Sequence, residues 1–119
     1  EDGFTAQGDY ENSSCDLYRE QALAYLLNGS YEKAFESASQ AYNIAYSYLA
    51  YYGYQVNNLL QCLYTYAVCG EAAKDDTAYA TVDTLLYQLG VEMPESIAAV
   101  ADGKGDILKL VTDSEGVLA

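Results

Sequence analysis

Histidine and tryptophan are absent from this chain, and proline occurs once. Without histidine the chain lacks the usual general base of enzymes and the commonest zinc ligand, and neither Ser-His-Asp nor Cys-His catalysis is possible within it. Residues 102–106, DGKGD, lack the Lys-Ser or Lys-Thr ending of a phosphate-binding loop, so this stretch is typical of a helix break. These absences predict a protein that is not an enzyme and uses no cofactor.

Basic residues are also scarce, since five Lys and Arg stand against 18 Asp and Glu, and the net charge is −13. This charge repels the phosphates of nucleic acids and the anionic heads of lipids. We therefore expect no nucleic-acid partner. No apolar run approaches the ~20 residues of a membrane span, so we expect no membrane insertion. Residues 102–113 lack the closing Glu of a calcium-binding loop, and we expect no metal site.

The hydrophobic pattern is helical almost everywhere beyond residue 16, and the two-residue alternation of a strand never lasts. The sequence therefore predicts an all-α fold, with an N-terminal tail over residues 1–15 and a single helical domain over residues 16–119. Glycines and capping residues indicate where the helices end. The predicted helices form two hairpins and a C-terminal cap: about 16–28 with 31–52, 54–69 with 75–89, and capping helices within 94–112.

One pattern of residues occurs in both predicted hairpins. In each hairpin, four residues follow one another at separations of four, three and four positions. The first set is Tyr18, Ala22, Tyr25 and Gly29, and the second, 41 positions later, is Leu59, Leu63, Tyr66 and Gly70. Alanines follow the first glycine at helical spacing, and small residues let paired helices approach closely. Since neither hairpin buries its apolar face alone, we expect the two hairpins to stack.

Residues 18–45, which begin with YREQALAYLLNGSYEKAFESASQAY, resemble a tetratricopeptide repeat, and residues 59–89 resemble a degenerate second copy. Large and small residues at the family's spacing carry the resemblance: Tyr18, Ala22, Tyr25, Gly29, Tyr31, Ala34, Ala38 and Ala41. Gln21 and Tyr46 depart from the family, which usually has leucine and proline at these two positions.

The resemblance implies a short right-handed array of antiparallel helical hairpins, with about five to six helices. It also implies a non-catalytic scaffold that binds an extended peptide or a partner protein on a concave surface made by the first helix of each hairpin. The implied groove positions come from the first and third helices: Arg19, Leu23 and Leu26, then Asn57, Leu60 and Tyr64. Arg19 is the sole cation among them, so the basic clamp that some members use for a terminal carboxylate is not evident.

The three cysteines, Cys15, Cys62 and Cys69, do not have the spacing of a zinc or redox motif. If Cys62 and Cys69 share a helix, roughly 10.5 Å separates them along its axis, which is too far for a disulfide. Cys15 could pair with either of them. We expect free, partly buried thiols.

The chain has 14 tyrosines, and residues 37–70 contain no charged side chain. On a helical wheel, one stripe of the second helix faces the predicted core: Phe35, Ala38, Tyr42, Ala45, Leu49 and Tyr52, with Tyr48 at its margin. The tyrosines predicted to be exposed are Tyr46, which flanks this stripe, and Tyr51, Tyr54 and Tyr64. Such side chains suit recognition of protein, peptide or sugar, or they pack against the C-terminal helices or a second copy of the chain.

The hypothesis that we favour is a non-catalytic module that binds a protein or peptide partner. Its predicted binding residues are Arg19, Leu23, Tyr51, Tyr54, Asn57 and Tyr64. Two alternatives stay open: a helical domain that binds carbohydrate or another small ligand, and an oligomerising segment of a larger protein, which would make the chain a homo-oligomer. The composition is compatible with a cytoplasmic or a bacterial extracytoplasmic location.

Overall fold

The computed structural model describes the backbone of residues 2–119 and the side chains of residues 14–119. Within residues 2–119 the chain forms six α-helices and no β-strand, which confirms the predicted all-α fold. The helices are α1 (Asp2–Leu27), α2 (Tyr31–Tyr52), α3 (Leu59–Ala72), α4 (Asp76–Leu89), α5 (Glu95–Ala101) and α6 (Ile107–Thr112).

The first helix begins much earlier than the sequence predicts. The predicted start was Asp16, behind a tail of residues 1–15, whereas α1 starts at Asp2. The tail prediction relied on the polar composition of this segment, but a helix that is already nucleated extends at little cost, and the segment contains no proline. Cys15, the last residue of the predicted tail, is buried in the core. The predicted start at Asp16 is therefore wrong.

The second and fourth helices lie where the sequence places them because glycines end both. Gly53 follows α2 with a φ of 65°, and Gly90 follows α4 with a φ of 75°. This left-handed conformation suits glycine and stops the helix. At the start of α4, the Asp75 carboxylate accepts a hydrogen bond from the backbone N–H of Thr77 at 3.0 Å, as expected of an N-terminal cap.

The third helix differs from the prediction at both ends. It begins at Leu59 instead of residue 54, after Asn58 in a left-handed conformation with a φ of 60°, and it continues through Gly70 to Ala72. Gly70 does not end the helix. It lies against α4, where an added Cβ would overlap the Cβ of Ala78 and come within 3.1 Å of the carbonyl oxygen of Asp75. The glycine thus allows α3 and α4 to approach closely.

The helices pack in the order of two stacked hairpins. α1 packs against α2, α2 against α3, and α3 against α4. Where α1 meets α2, small side chains are fully buried and let the backbones approach: Ala22 from α1, and Ala34, Ala38, Ala41 and Ala45 from α2. α3 is the central helix because it also contacts α1 and α5.

Candidate functional site

Four aromatic rings form a row across α2 and α3. The rings of Phe35 and Tyr66 are 5.6 Å apart between centroids, those of Tyr66 and Tyr42 are 4.4 Å apart, and those of Tyr42 and Tyr46 are 5.6 Å apart. Neighbouring rings lie within 16° of parallel. Offset stacking of this kind adds about 0.5–1.5 kcal/mol per pair beyond burial. The row therefore favours one orientation of each ring.

The row leads into a groove between α2 and α4, which we call the aromatic groove. Its volume is about 350 Å³, and it is lined by Tyr42, Tyr46, Ala80, Thr81, Thr84, Leu85 and Gln88. Tyr46 stands at the groove end of the row. It is 42% exposed, which confirms the prediction that it is accessible. One face of the Tyr46 ring is covered by Tyr42, and the ring itself borders the open groove.

The aromatic groove is neutral although the protein is strongly acidic. The side chains that line it carry hydroxyl, amide and apolar groups. Burial raises the pKa of the Tyr42 phenol, and the neighbouring Tyr66 and Tyr46 raise it further. Tyr42 therefore stays protonated at neutral pH. The groove offers an aromatic wall from α2 and a wall of hydroxyl and amide groups from α4.

Two helical spacings create this groove. Tyr42 and Tyr46 lie one turn apart on α2, and Thr81, Thr84 and Gln88 follow one another at three and four residues on α4, so each set shares one helix face. Tyr46 was the only groove residue that the sequence singled out for exposure. The polar stripe on α4 was missed, although its spacing is visible in the sequence.

Arg19 does not face a groove, because it is buried against the C-terminal segment of the chain. Its Nη1 donates a hydrogen bond to the backbone carbonyl of Leu118 at 2.8 Å, and its Nε lies 3.5 Å from an Asp16 carboxylate oxygen. Leu118 is itself buried. The guanidinium thus links α1 to the C-terminal segment and is not available to bind a partner in this conformation.

The other predicted groove positions on α1 and α3 are also covered or partly covered. Leu23 is half-buried, and Tyr64, predicted to be exposed, is buried. The expectation for Tyr64 is wrong because α3 is packed by four other helices, including α5 from the C-terminal part of the chain. α6 packs against α1 in addition. The chain's own C-terminal helices therefore pack on the two helices that were expected to form the binding surface.

Tyr51, Tyr54 and Asn57 lie near the connection between α2 and α3. Tyr51 is 79% exposed and Asn57 is exposed, whereas Tyr54 is half-buried with its ring 5.9 Å from that of Tyr48. Tyr52 was predicted to lie in the core, but it is 75% exposed. It is the last residue of α2, where the helix leaves the packed region of the fold.

Asp16 links the two groups of predicted residues. The side-chain amide of Asn58 donates hydrogen bonds to both Asp16 carboxylate oxygens, at 3.1 and 3.3 Å, and Asp16 is also the ion-pair partner of Arg19. This network connects the α2–α3 connection with α1 and, through Arg19, with Leu118. All of these contacts are made within the chain, so the network stabilises the fold.

Neither a metal site nor a membrane-spanning helix is found in the part of the chain that the structure describes. Among those residues, no group of three or more His, Cys, Asp or Glu is arranged to hold a metal ion. None of the described helices is both long and apolar enough to cross a membrane. The aromatic groove, which borders the partly exposed Tyr46 ring, is the candidate site.

No protein-family model matches the chain, and no curated protein or solved structure shows significant similarity to it. The relation to tetratricopeptide repeats accordingly stays a prediction from the residues of the first hairpin.

Proposed function

We propose that this chain is a non-catalytic binding module that holds a protein or peptide partner in the aromatic groove. A planar side chain of the partner stacks on the Tyr46 ring and extends the row of four rings. The observation that carries the proposal is this row, which runs from Phe35 through the packed helices and ends at a partly exposed ring beside an open groove.

The Tyr46 ring suits binding because stacking on Tyr42 favours one orientation before a partner binds. Tyr42 covers one of its faces and is itself stacked on Tyr66. A held aromatic side chain loses little conformational freedom on binding and offers broad contact area. Thr81, Thr84 and Gln88 on the opposite wall supply groups that can hydrogen-bond a peptide backbone.

The net charge of −13 favours a basic partner, since it attracts positive charge over long distances. An arginine or lysine near the stacking residue would gain from this field, and arginine also stacks on tyrosine. We expect association to weaken as salt is added, because screening shortens the reach of these charges. The neutral groove would then determine which side chain is accepted.

The packing order of the first four helices supports a tetratricopeptide-like array as part of this proposal. In that family the first helices of the hairpins form the binding surface, and here these are α1 and α3. Since α5 packs against α3 and α6 against α1, we assign binding to the other side, where α2 and α4 border the aromatic groove.

The proposal can be tested with peptides selected from a random library on the full chain. We expect Tyr46→Ala to weaken binding of the selected peptides by at least about tenfold, which corresponds to about 1.4 kcal/mol. Tyr87→Ala is the matched control, since Tyr87 lies on α4 and is 86% exposed but does not line the groove. Equal affinity of wild type and Tyr46→Ala would refute the proposal.

A carbohydrate is the second candidate ligand, because the groove combines an aromatic ring with uncharged hydroxyl and amide groups. Aromatic faces contact the apolar faces of sugars, and the polar groups can hydrogen-bond their hydroxyls. This alternative predicts that a sugar raises the melting temperature in a glycan panel and that Tyr46→Ala abolishes the rise. A flat response across the panel counts against it.

A further inference from the structure

The aromatic groove presents hydrogen-bond acceptors beside an accessible ring. Thr81, Thr84 and Gln88 are exposed on α4, and each carries a side-chain oxygen that can accept hydrogen bonds. Tyr46 borders the same groove from α2, and its ring is stacked on that of Tyr42 at a centroid distance of 5.6 Å. The groove therefore combines the face of an aromatic ring with a stripe of oxygen acceptors.

The residues that line this groove include no positive charge. The chain has five basic residues, all of which lie elsewhere in the described structure: Arg19, Lys33, Lys74, Lys104 and Lys109. The chain also carries 18 acidic residues, so a cation is attracted to the protein and meets no like charge in the groove. An anion is repelled by the same net charge.

We propose that the partner side chain in the aromatic groove is an arginine, whose guanidinium stacks on the Tyr46 ring. This inference rests on the proposed function, since it names the group that the same groove accepts. The guanidinium is planar and always positively charged, and all five of its N–H groups are donors. Its face matches the face of the ring, and its N–H groups can donate to the oxygens on α4.

Three comparison side chains each lack a property that the groove rewards. Phenylalanine stacks, but it has no charge and cannot donate hydrogen bonds to the α4 oxygens. Lysine has the charge, but its compact ammonium is strongly hydrated and does not stack as a plane. Citrulline is planar and donates hydrogen bonds, but it is neutral. Arginine alone among the four combines a planar face, a positive charge and several donors.

The test is an NMR titration of the full chain with four capped peptides, acetyl-Gly-Gly-X-Gly-Gly-amide, in which X is arginine, citrulline, lysine or phenylalanine. Shift changes at Tyr46 and Thr84 give each dissociation constant. We expect the arginine peptide to bind most tightly, by about two- to fivefold over the citrulline peptide, which is the gain from a cation over an exposed aromatic face. Added salt should reduce this difference.

Two matched variants locate the effect. Tyr46→Leu keeps an apolar side chain but removes the aromatic face, so the arginine and citrulline peptides should then bind about equally. Tyr46 is 42% exposed, so this change leaves the core intact. Tyr87→Leu is the control, because Tyr87 is 86% exposed on α4 and does not line the groove. It should leave the preference for arginine unchanged.

Equal affinity of the arginine and citrulline peptides, tighter binding of the lysine or phenylalanine peptide, or no binding of the arginine peptide at millimolar concentration would overturn the arginine assignment. These results leave the proposed function standing as long as Tyr46→Ala weakens the binding of library-selected peptides. A preference for arginine that Tyr46→Leu does not reduce would also overturn the assignment, because the cation would then bind away from this ring.

Discussion

Replacing Gly70 with alanine tests the close approach of α3 and α4. An alanine at this position would place its Cβ on the Cβ of Ala78 and within 3.1 Å and 3.4 Å of the Asp75 carbonyl oxygen and the Phe35 ring. Ala78 is fully buried, and a Cβ cannot turn away as the end of a long side chain can. The two helices would have to move apart.

The size of the effect follows from two opposing terms. Overpacking a core costs about 1–3 kcal/mol, and the overlap with Ala78 puts Gly70→Ala near the upper end of that range. Alanine inside a helix is favoured over glycine by about 1 kcal/mol, which offsets part of the cost. We expect a net loss of about 2 kcal/mol in the free energy of unfolding, and a melting temperature about 8 °C lower.

Urea unfolding followed by circular dichroism measures this loss, and a second variant separates the causes. Gly70→Ala combined with Ala78→Gly removes the overlapping Cβ, so the coupling energy between the two sites should be about 1–2 kcal/mol in favour of the pair. If Gly70→Ala alone stabilises the protein, helix propensity dominates. The close approach of α3 and α4 would then be disproved.

Two further predictions concern a carboxylate and the C-terminal segment. Burial raises the pKa of Glu71, and the charge of Asp76 raises it further. The ionised form of Glu71 therefore destabilises the fold at pH values above this raised pKa. We expect Glu71→Gln to increase the melting temperature at pH 7. This gain should vanish as the pH falls below the unfolded-state pKa, and a gain that persists there would show another cause. Leu118→Ala should lower the free energy of unfolding by about 2 kcal/mol in urea titrations, since Leu118 is buried beside Arg19; an unchanged value would mean that the segment contributes no packing energy.

Helix ends could be predicted where a local signal sets them. Gly53 and Gly90 end α2 and α4 because each adopts a left-handed conformation. Asp75 caps the start of α4 through a hydrogen bond to the backbone of Thr77, two residues further along the chain. Gly70 looks the same in the sequence but serves the contact with Ala78, which depends on the position of another helix. The start of α1 was missed because residues 2–15 have no helical periodicity of apolar residues from which a helix could be predicted.

Periodicity predicted helix faces better than it predicted burial. The wheel places Ala38 and Ala45 in the core, where both are buried, but it also places Tyr52 there, and Tyr64 was expected outside the core. Burial depends on how many elements surround a helix: α3 is packed by four helices, whereas α2 ends at an exposed corner. The sequence of a single helix does not contain that information.

The candidate site could be predicted only in part for the same reason. Tyr46 was identified as accessible from its place on α2. Its partners on α4 enter the groove because α3 packs against both α2 and α4 and brings these two helices to the same side. Arg19 shows the opposite case, since a residue more than ninety positions away along the chain, Leu118, takes the hydrogen bond that a partner was expected to take.

The binding surface can be mapped directly by NMR titration of the full chain with a library-selected peptide. The assignment to the aromatic groove predicts the largest shift changes at Tyr46, Thr84 and Gln88, together with ring-current shifts at Tyr42. Shift changes centred on Arg19 and the Leu118 methyl groups would contradict it, because they would show that the partner displaces the C-terminal segment and binds against α1 and α3.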